Sequence, residues 1–168
     1  MITRTNFSNA NLSNATLFDT AAYSTLEASP FEAPTFAGAD LSGAHVLGRL
    51  SGVDFHGGNL ARAQLGTARD QLKTPVWSDL SGCNLSGAKL TDADLHEVRL
   101  AFANLVNADL SGANLAGTDL AHADLTGGNL AGENLADANL DEPVLRHVKG
   151  LDVAKGLDHA RNRGKAVY

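Results

Sequence analysis

The residues in this chain that could do chemistry are scattered rather than gathered. Six histidines stand at His45, His56, His96, His122, His147 and His159, and none has a Cys or a second His at a metal-ligand spacing. His96-Glu97 and His122-Ala123-Asp124 bring a base beside an acid, but both fall on outward positions and read as solvated surface. A single cysteine, Cys83, cannot build a disulfide framework. The seventeen glycines recur at a fixed interval and do not compose a phosphate-binding loop. Acid pairs need a cleft to raise a carboxyl into the working range, and the architecture derived next is a convex rod. These residues point to no catalytic centre, no metal and no cofactor.

Between Ser78 and Leu145 a leucine returns every fifth residue, at fourteen successive centres from Leu80 to Leu145. Two residues before the centre stands a usually small residue (Ala88, Ala93, Ala103, Ala108, Ala113, Ala123 and Ala138, with Ser78, Cys83 and Thr118 as variants). Asp or Asn dominates the position between them, and Gly, Asp or Asn the second position after the leucine. A five-residue step turns an α-helix by roughly 140°, which spreads the leucines around every side. A continuous strand also fails, because its side chains alternate with period two. Short extended pieces separated by turns do satisfy the pattern: Leu and the small residue point in and the other three point out. The chain then coils around a narrow interior, rung on rung at about 4.8 Å. Cys83 falls in the inward small-residue column and reads as a buried, inert thiol.

The motif resembles that of the pentapeptide-repeat proteins, whose A-(D/N)-L-X-X consensus is nearly matched by Ala108-Asp109-Leu110-Ser111-Gly112 and Ala113-Asn114-Leu115-Ala116-Gly117. The resemblance implies an all-β fold, a right-handed, quadrilateral parallel β-helix with one pentapeptide per side. On this reading residues 1–145 are the solenoid, with an irregular part over 1–65, an extruded loop over 66–77 and a regular rod over 78–145. Residues 146–168 leave the repeat and form a cap. In the irregular part Ile2, Phe7, Leu12 and Leu17 share one register, Leu26, Phe31, Phe36, Leu41 and Val46 another, and Leu50, Phe55, Leu60 and Leu65 a third. The slips between them are expected as bulges or small loops at the corners. Across Gly66–Trp77 the centres would be Asp70 and Pro75, and an unpaired Asp in a leucine column costs several kcal/mol; an extruded loop is expected instead.

Net charge is −6, unevenly distributed. Residues 78–142 hold eleven acids against Lys89 and Arg99, whereas 143–168 hold six basic residues against Asp152 and Asp158. Such a rod repels phosphate, so nucleic acid is not an expected ligand. No apolar run approaches the ~20 residues that span a bilayer, so no membrane partner is expected and the location reads as cytoplasmic.

Two functional readings follow, both of a non-enzymatic protein-binding rod. In the first, the resemblance extends to family members that act as DNA mimics on DNA gyrase and confer quinolone resistance. Asp92, Asp94, Glu97, Asp109, Asp119, Asp124, Glu133 and Asp137 would carry that acidic surface, presented to a type II topoisomerase. In the second, the partner is unrelated to DNA and binds through the loop residues Arg69, Lys73 and Trp77, through Phe102, or through the tail. Phe102 occupies an outward position where Gly or Asp is usual, and exposed aromatics mark contact sites. Val148, Leu151, Ala154 and Leu157 would line one face of a short helix in the tail. Val148, Leu151 and Leu157 would cap the last rung, and gyrase-binding relatives suggest a homodimer through this segment.

Overall fold

The computed structural model describes residues 5–21, 34–69 and 75–168. Ile2, Leu26 and Phe31, with the loop residues Asp70 and Lys73, lie outside them. The described chain is a stack of coils joined by parallel bridges, four per coil. On the first side the column runs Asp79, Arg99, Asp119, Asn139, Arg161; on the second Asn84, Asn104, Asp124, Val144, Val167. The third is Lys89, Asp109, Asn129, Lys149 and the fourth Asp94, Asn114, Asn134, Lys155.

Each pentapeptide spends its backbone groups in the same way, as the repeat around Leu110 shows. Asp109 N–H donates back to Ala88 C=O at 3.0 Å, and Leu110 N–H donates forward to Asn129 C=O at 2.9 Å. The corner closes when Ala113 N–H reaches Leu110 C=O at 3.0 Å. Closing it puts the second residue after the leucine at positive φ: 70° at Gly112, but also 57° at Asp92 and 61° at Phe102. That conformation explains the Gly, Asp and Asn of this position, since these residues tolerate it best. Leucines from Leu80 to Leu140 are at most 1% exposed and stack into one core, each contributing roughly 1.5–3 kcal/mol of burial. Cys83 is fully buried there, its Sγ–H donating to Leu50 C=O at 2.9 Å, and burial pushes the thiol up.

Departures from the twenty-residue coil are local. Strand β1 (Thr16–Ala21) pairs in parallel with β2 (His45–Arg49), with a register shift between Phe18 and Thr20. The one-residue slip between Val46 and Leu50 is therefore absorbed within a strand, not at a corner as expected, and Val46 and Leu47 are both buried. Phe7, Phe36 and Phe55 fill the second side's core here, their rings stacked at 4.8 and 5.2 Å between centroids. At the expected loop, β3 (Ala68–Arg69) pairs antiparallel with β4 (Pro75–Val76), so the excursion leaves the coil on a hairpin stem. Bridging resumes at Asp79 opposite Arg49.

The tail differs from the sequence reading. It does not leave the coil, and it forms no α-helix; it winds one further turn. The pairs Asn129–Lys149, Asn134–Lys155, Asn139–Arg161 and Val144–Val167 stand 20, 21, 22 and 23 residues apart, so each side of the last turn holds six residues instead of five. The extra residue is taken up by short 3-10 turns at Leu151–Val153, Leu157–His159 and Arg163–Lys165. Before each stands a left-handed residue, Gly150 (φ 77°), Gly156 (69°) or Asn162 (58°). Val148, Leu151, Ala154 and Leu157 are only partly buried against the core. Their spacing, with Ala160 and Ala166, is a hexapeptide repeat rather than a helical stripe.

Candidate protein-docking surface

The outward Asp and Asn residues hold the rod together before they can do anything else. Asp109 Oδ1 accepts from the Ser111 backbone N–H at 3.1 Å, the Ser111 hydroxyl at 2.7 Å and the Asn129 carboxamide of the next coil at 3.0 Å. Asp119 accepts from Ala121 N–H at 3.2 Å and from Asn139 at 2.8 Å; Asp94 accepts from His96 N–H at 3.3 Å and from Asn114 at 3.2 Å. Asp124 accepts from Thr126 N–H at 2.9 Å. Burial works to raise the Asp109 carboxyl, yet hydrogen bonds from Ser111, Thr91 and Asn129 outweigh it and hold it below the ordinary range. Stacking is also selective: among the described bridges no carboxylate faces another carboxylate, and Arg99 lies between Asp79 and Asp119. Like charges directly opposite each other destabilise a ladder.

The eight acids read from the sequence are therefore not brought together. Asp119, Asp124, Asp109 and Asp94 lie on four different sides. Asp92, Glu97 and Asp137 are exposed at corners, with φ near +60°. Glu133 is not on the surface. It stands two residues before Leu135, in the inward column, and is 0% exposed with neither carboxylate oxygen hydrogen-bonded. Its charge predicts a surface position, but its register places it inside.

Two exposed aromatics, Trp77 and Phe102, flank the first side. Along one coil Arg99 stands on the strand and Phe102 at the corner that ends it. Phe102 is 67% exposed, and its ring stacks on His122 of the next coil with centroids 4.8 Å apart and planes at 18°. His122 in turn lies 3.7 Å from the Glu142 carboxylate one coil further on. At the other edge, Trp77 leaves the hairpin 44% exposed, with the Arg99 guanidinium carbon 5.3 Å from its ring centroid. Trp77 and Phe102 are exposed as expected from the sequence, whereas Arg99 and His122 are not among the contact residues expected there. The twenty-residue spacing from Phe102 to His122, and from Asp79 to Arg99, is the signal that finds them. Arg69 lies in the hairpin stem.

No group of side chains among the described residues could hold a metal ion, and no helix among them is long and apolar enough to cross a membrane. A shallow, open depression has Arg62, Lys89 and Asp92 at its rim. It offers one carboxylate beside two cations, not a paired-acid site.

A family profile described as pentapeptide repeats matches in eight copies, over residues 78–117, 93–132 and 118–149. Residues 78–149 are pentapeptide repeats of that family. Among curated proteins no sequence matches significantly. The chain is similar to the crystal structure of HetL, a pentapeptide repeat protein involved in heterocyst differentiation regulation from the cyanobacterium Nostoc sp. strain PCC 7120. Identity is 27% and the TM-score 0.52, over 98% of this chain and 72% of that one. It is also similar to trypsin-treated QnrB1, a plasmid-mediated fluoroquinolone resistance protein, at 16% identity and TM-score 0.53, over 92% of this chain and 86% of that one. At that identity the second likeness speaks to fold alone. Together the pentapeptide repeats and these likenesses imply the right-handed β-helix of the family.

Proposed function

We propose that this pentapeptide-repeat chain is a non-catalytic regulator that binds a protein partner through its first side, between Trp77–Arg99 and Phe102–His122. The observation that carries the reading is the Phe102 ring: large, two-thirds exposed and held at positive φ, where glycine would cost less. Aromatic and arginine side chains are the usual anchors of protein interfaces. The alternating column Arg49, Asp79, Arg99, Asp119 between the two aromatic edges gives the surface a fixed charge register. HetL's described part in regulation accords with such a role. A cytoplasmic location goes with this proposal.

A second reading keeps DNA gyrase as the partner, with the rod standing in for DNA. It rests on the corner carboxylates Asp92, Glu97 and Asp137, which reach solvent free of the Asp–Asn ladder. One experiment separates the two. Binding to purified gyrase is measured at two salt concentrations with linear duplex as competitor, using the chain, a Phe102→Ser/Trp77→Ser variant and an Asp92→Asn/Glu97→Gln/Asp137→Asn variant. Salt-sensitive, DNA-displaced binding lost with the corner acids supports mimicry, since exposed charges are screened by salt. The first reading predicts no such binding, and capture of a discrete partner from native extract that the aromatic variant loses and the acid variant keeps. Capture that ignores the aromatic substitutions overturns it.

A further inference from the structure

Glu133 is the one buried acid in the described core, in a column filled one and two coils below by Ala113 and Ala93; on the other sides the equivalent inward position holds residues such as Ala123, Ala138 or a hydrogen-bonded Thr118. Thr118 there donates to Leu95 C=O at 2.7 Å, whereas both Glu133 oxygens lack a partner. Burial holds its carboxyl above the ordinary glutamate range, and its own backbone N–H, then the charge of Lys155, only partly offset this. The terminal coil lies directly on it: Lys155 N–H donates to Glu133 C=O at 3.1 Å, and Ala154 takes the same column position one coil on. That coil is also thinly anchored. None of its three 3-10 turns contains a buried residue.

We propose that Glu133 makes residues 150–168 a pH-sensitive cap, docked while the carboxyl keeps its proton and released when the proton passes to water. An ionised carboxylate without partners is strongly disfavoured in an apolar column, and the cheapest way to hydrate it is to lift the coil above it. Release uncovers the N–H groups of Leu135, Leu140 and Leu145, which otherwise donate to the cap's Lys155, Arg161 and Val167 carbonyls. The rod then offers an open edge to another extended chain. Of the surrounding charges, Lys155 of the cap acts on Glu133 from an exposed, outward position, and Asp152 of the cap and Asp137 at the next corner are also exposed. The coil beneath presents Ala113, flanked by the neutral Asn114.

A carboxyl raised in the docked state favours docking at low pH and loses that contribution as pH climbs from the ordinary glutamate range through the raised value. Opening therefore grows about tenfold per pH unit in that window. Amide hydrogen exchange at Leu135, Leu140 and Leu145, corrected for intrinsic rate and referred to Leu110, reads the opening constant directly. The full chain should show that slope, and both Glu133→Gln and Glu133→Ala should flatten it. Ala is the residue of neighbouring coils, so at least that variant keeps the fold, and its cap should stay protected at every pH. A flat profile in the unaltered chain, or the same slope in both variants, overturns the proposal.

Discussion

The Phe102 ring lies on His122 at the rung spacing of the coil, 4.8 Å between centroids, on the outside of a rod whose other corners carry mostly Gly, Asp or Asn. Both residues hold positive φ, 61° and 58°, a conformation that disfavours side chains of their size. Replacing Phe102 by Gly removes roughly 1–2 kcal/mol of backbone strain and forfeits about 0.5–1.5 kcal/mol of stacking. The melting temperature should therefore stay within a few degrees of the unaltered chain while partner capture is lost. A large loss of stability would show that the ring serves the fold instead.

The Asp–Asn columns predict an electrostatic penalty. Asn139→Asp sets a carboxylate directly against Asp119, replacing a 2.8 Å hydrogen bond by like charges. Denaturant unfolding at pH 7 should show a loss of about 1–3 kcal/mol, largely regained where both acids are protonated. Asn104→Ser, on a column whose neighbours are Asn84 and Asp124, should cost less.

Asp109 predicts part of the acid limb of stability. Its folded value is lowered, so its contribution is complete above the ordinary carboxylate range and is lost as pH falls through the folded value. Asp109→Ala should lower stability at pH 7 and flatten the dependence between neutrality and strong acid. An unchanged acid limb would count against the hydrogen-bond origin of the shift.

Two glycines with the same backbone twist should behave differently. A Cβ on Gly82 meets open space, so Gly82→Ala pays only roughly 1–2 kcal/mol for positive φ. A Cβ on Gly150 would come within 2.6 Å of the Ala131 backbone. Gly150→Ala should detach the terminal coil, seen as protease cleavage within 150–168 with the remaining rod intact.

The rod from Ser78 to Leu145 was legible because its signal is repeated at every coil: each leucine confirms the register of the last. That register also locates Glu133 inside, two residues before Leu135, although its charge suggests the opposite. The tail was half legible. Lys149-Gly150-Leu151-Asp152 and its echo at Lys155 announce a repeat, but spacings of three also suit a helix, and only the pairing of Lys149, Lys155 and Arg161 with the coil beneath decides between them. The Phe102–His122 pair was harder to find. It depends on contact between residues twenty apart, which becomes visible only once the coil length is known.

Protein contact on the first side can be read directly. A photo-crosslinking amino acid placed at position 102, and in a second variant at Ala131 on the third side, tests it in cells that naturally make the protein. Position 102 should give a discrete protein adduct, competed by the unaltered chain, and position 131 none. Adducts of equal yield from both positions, or from 131 alone, would rule out contact on the first side.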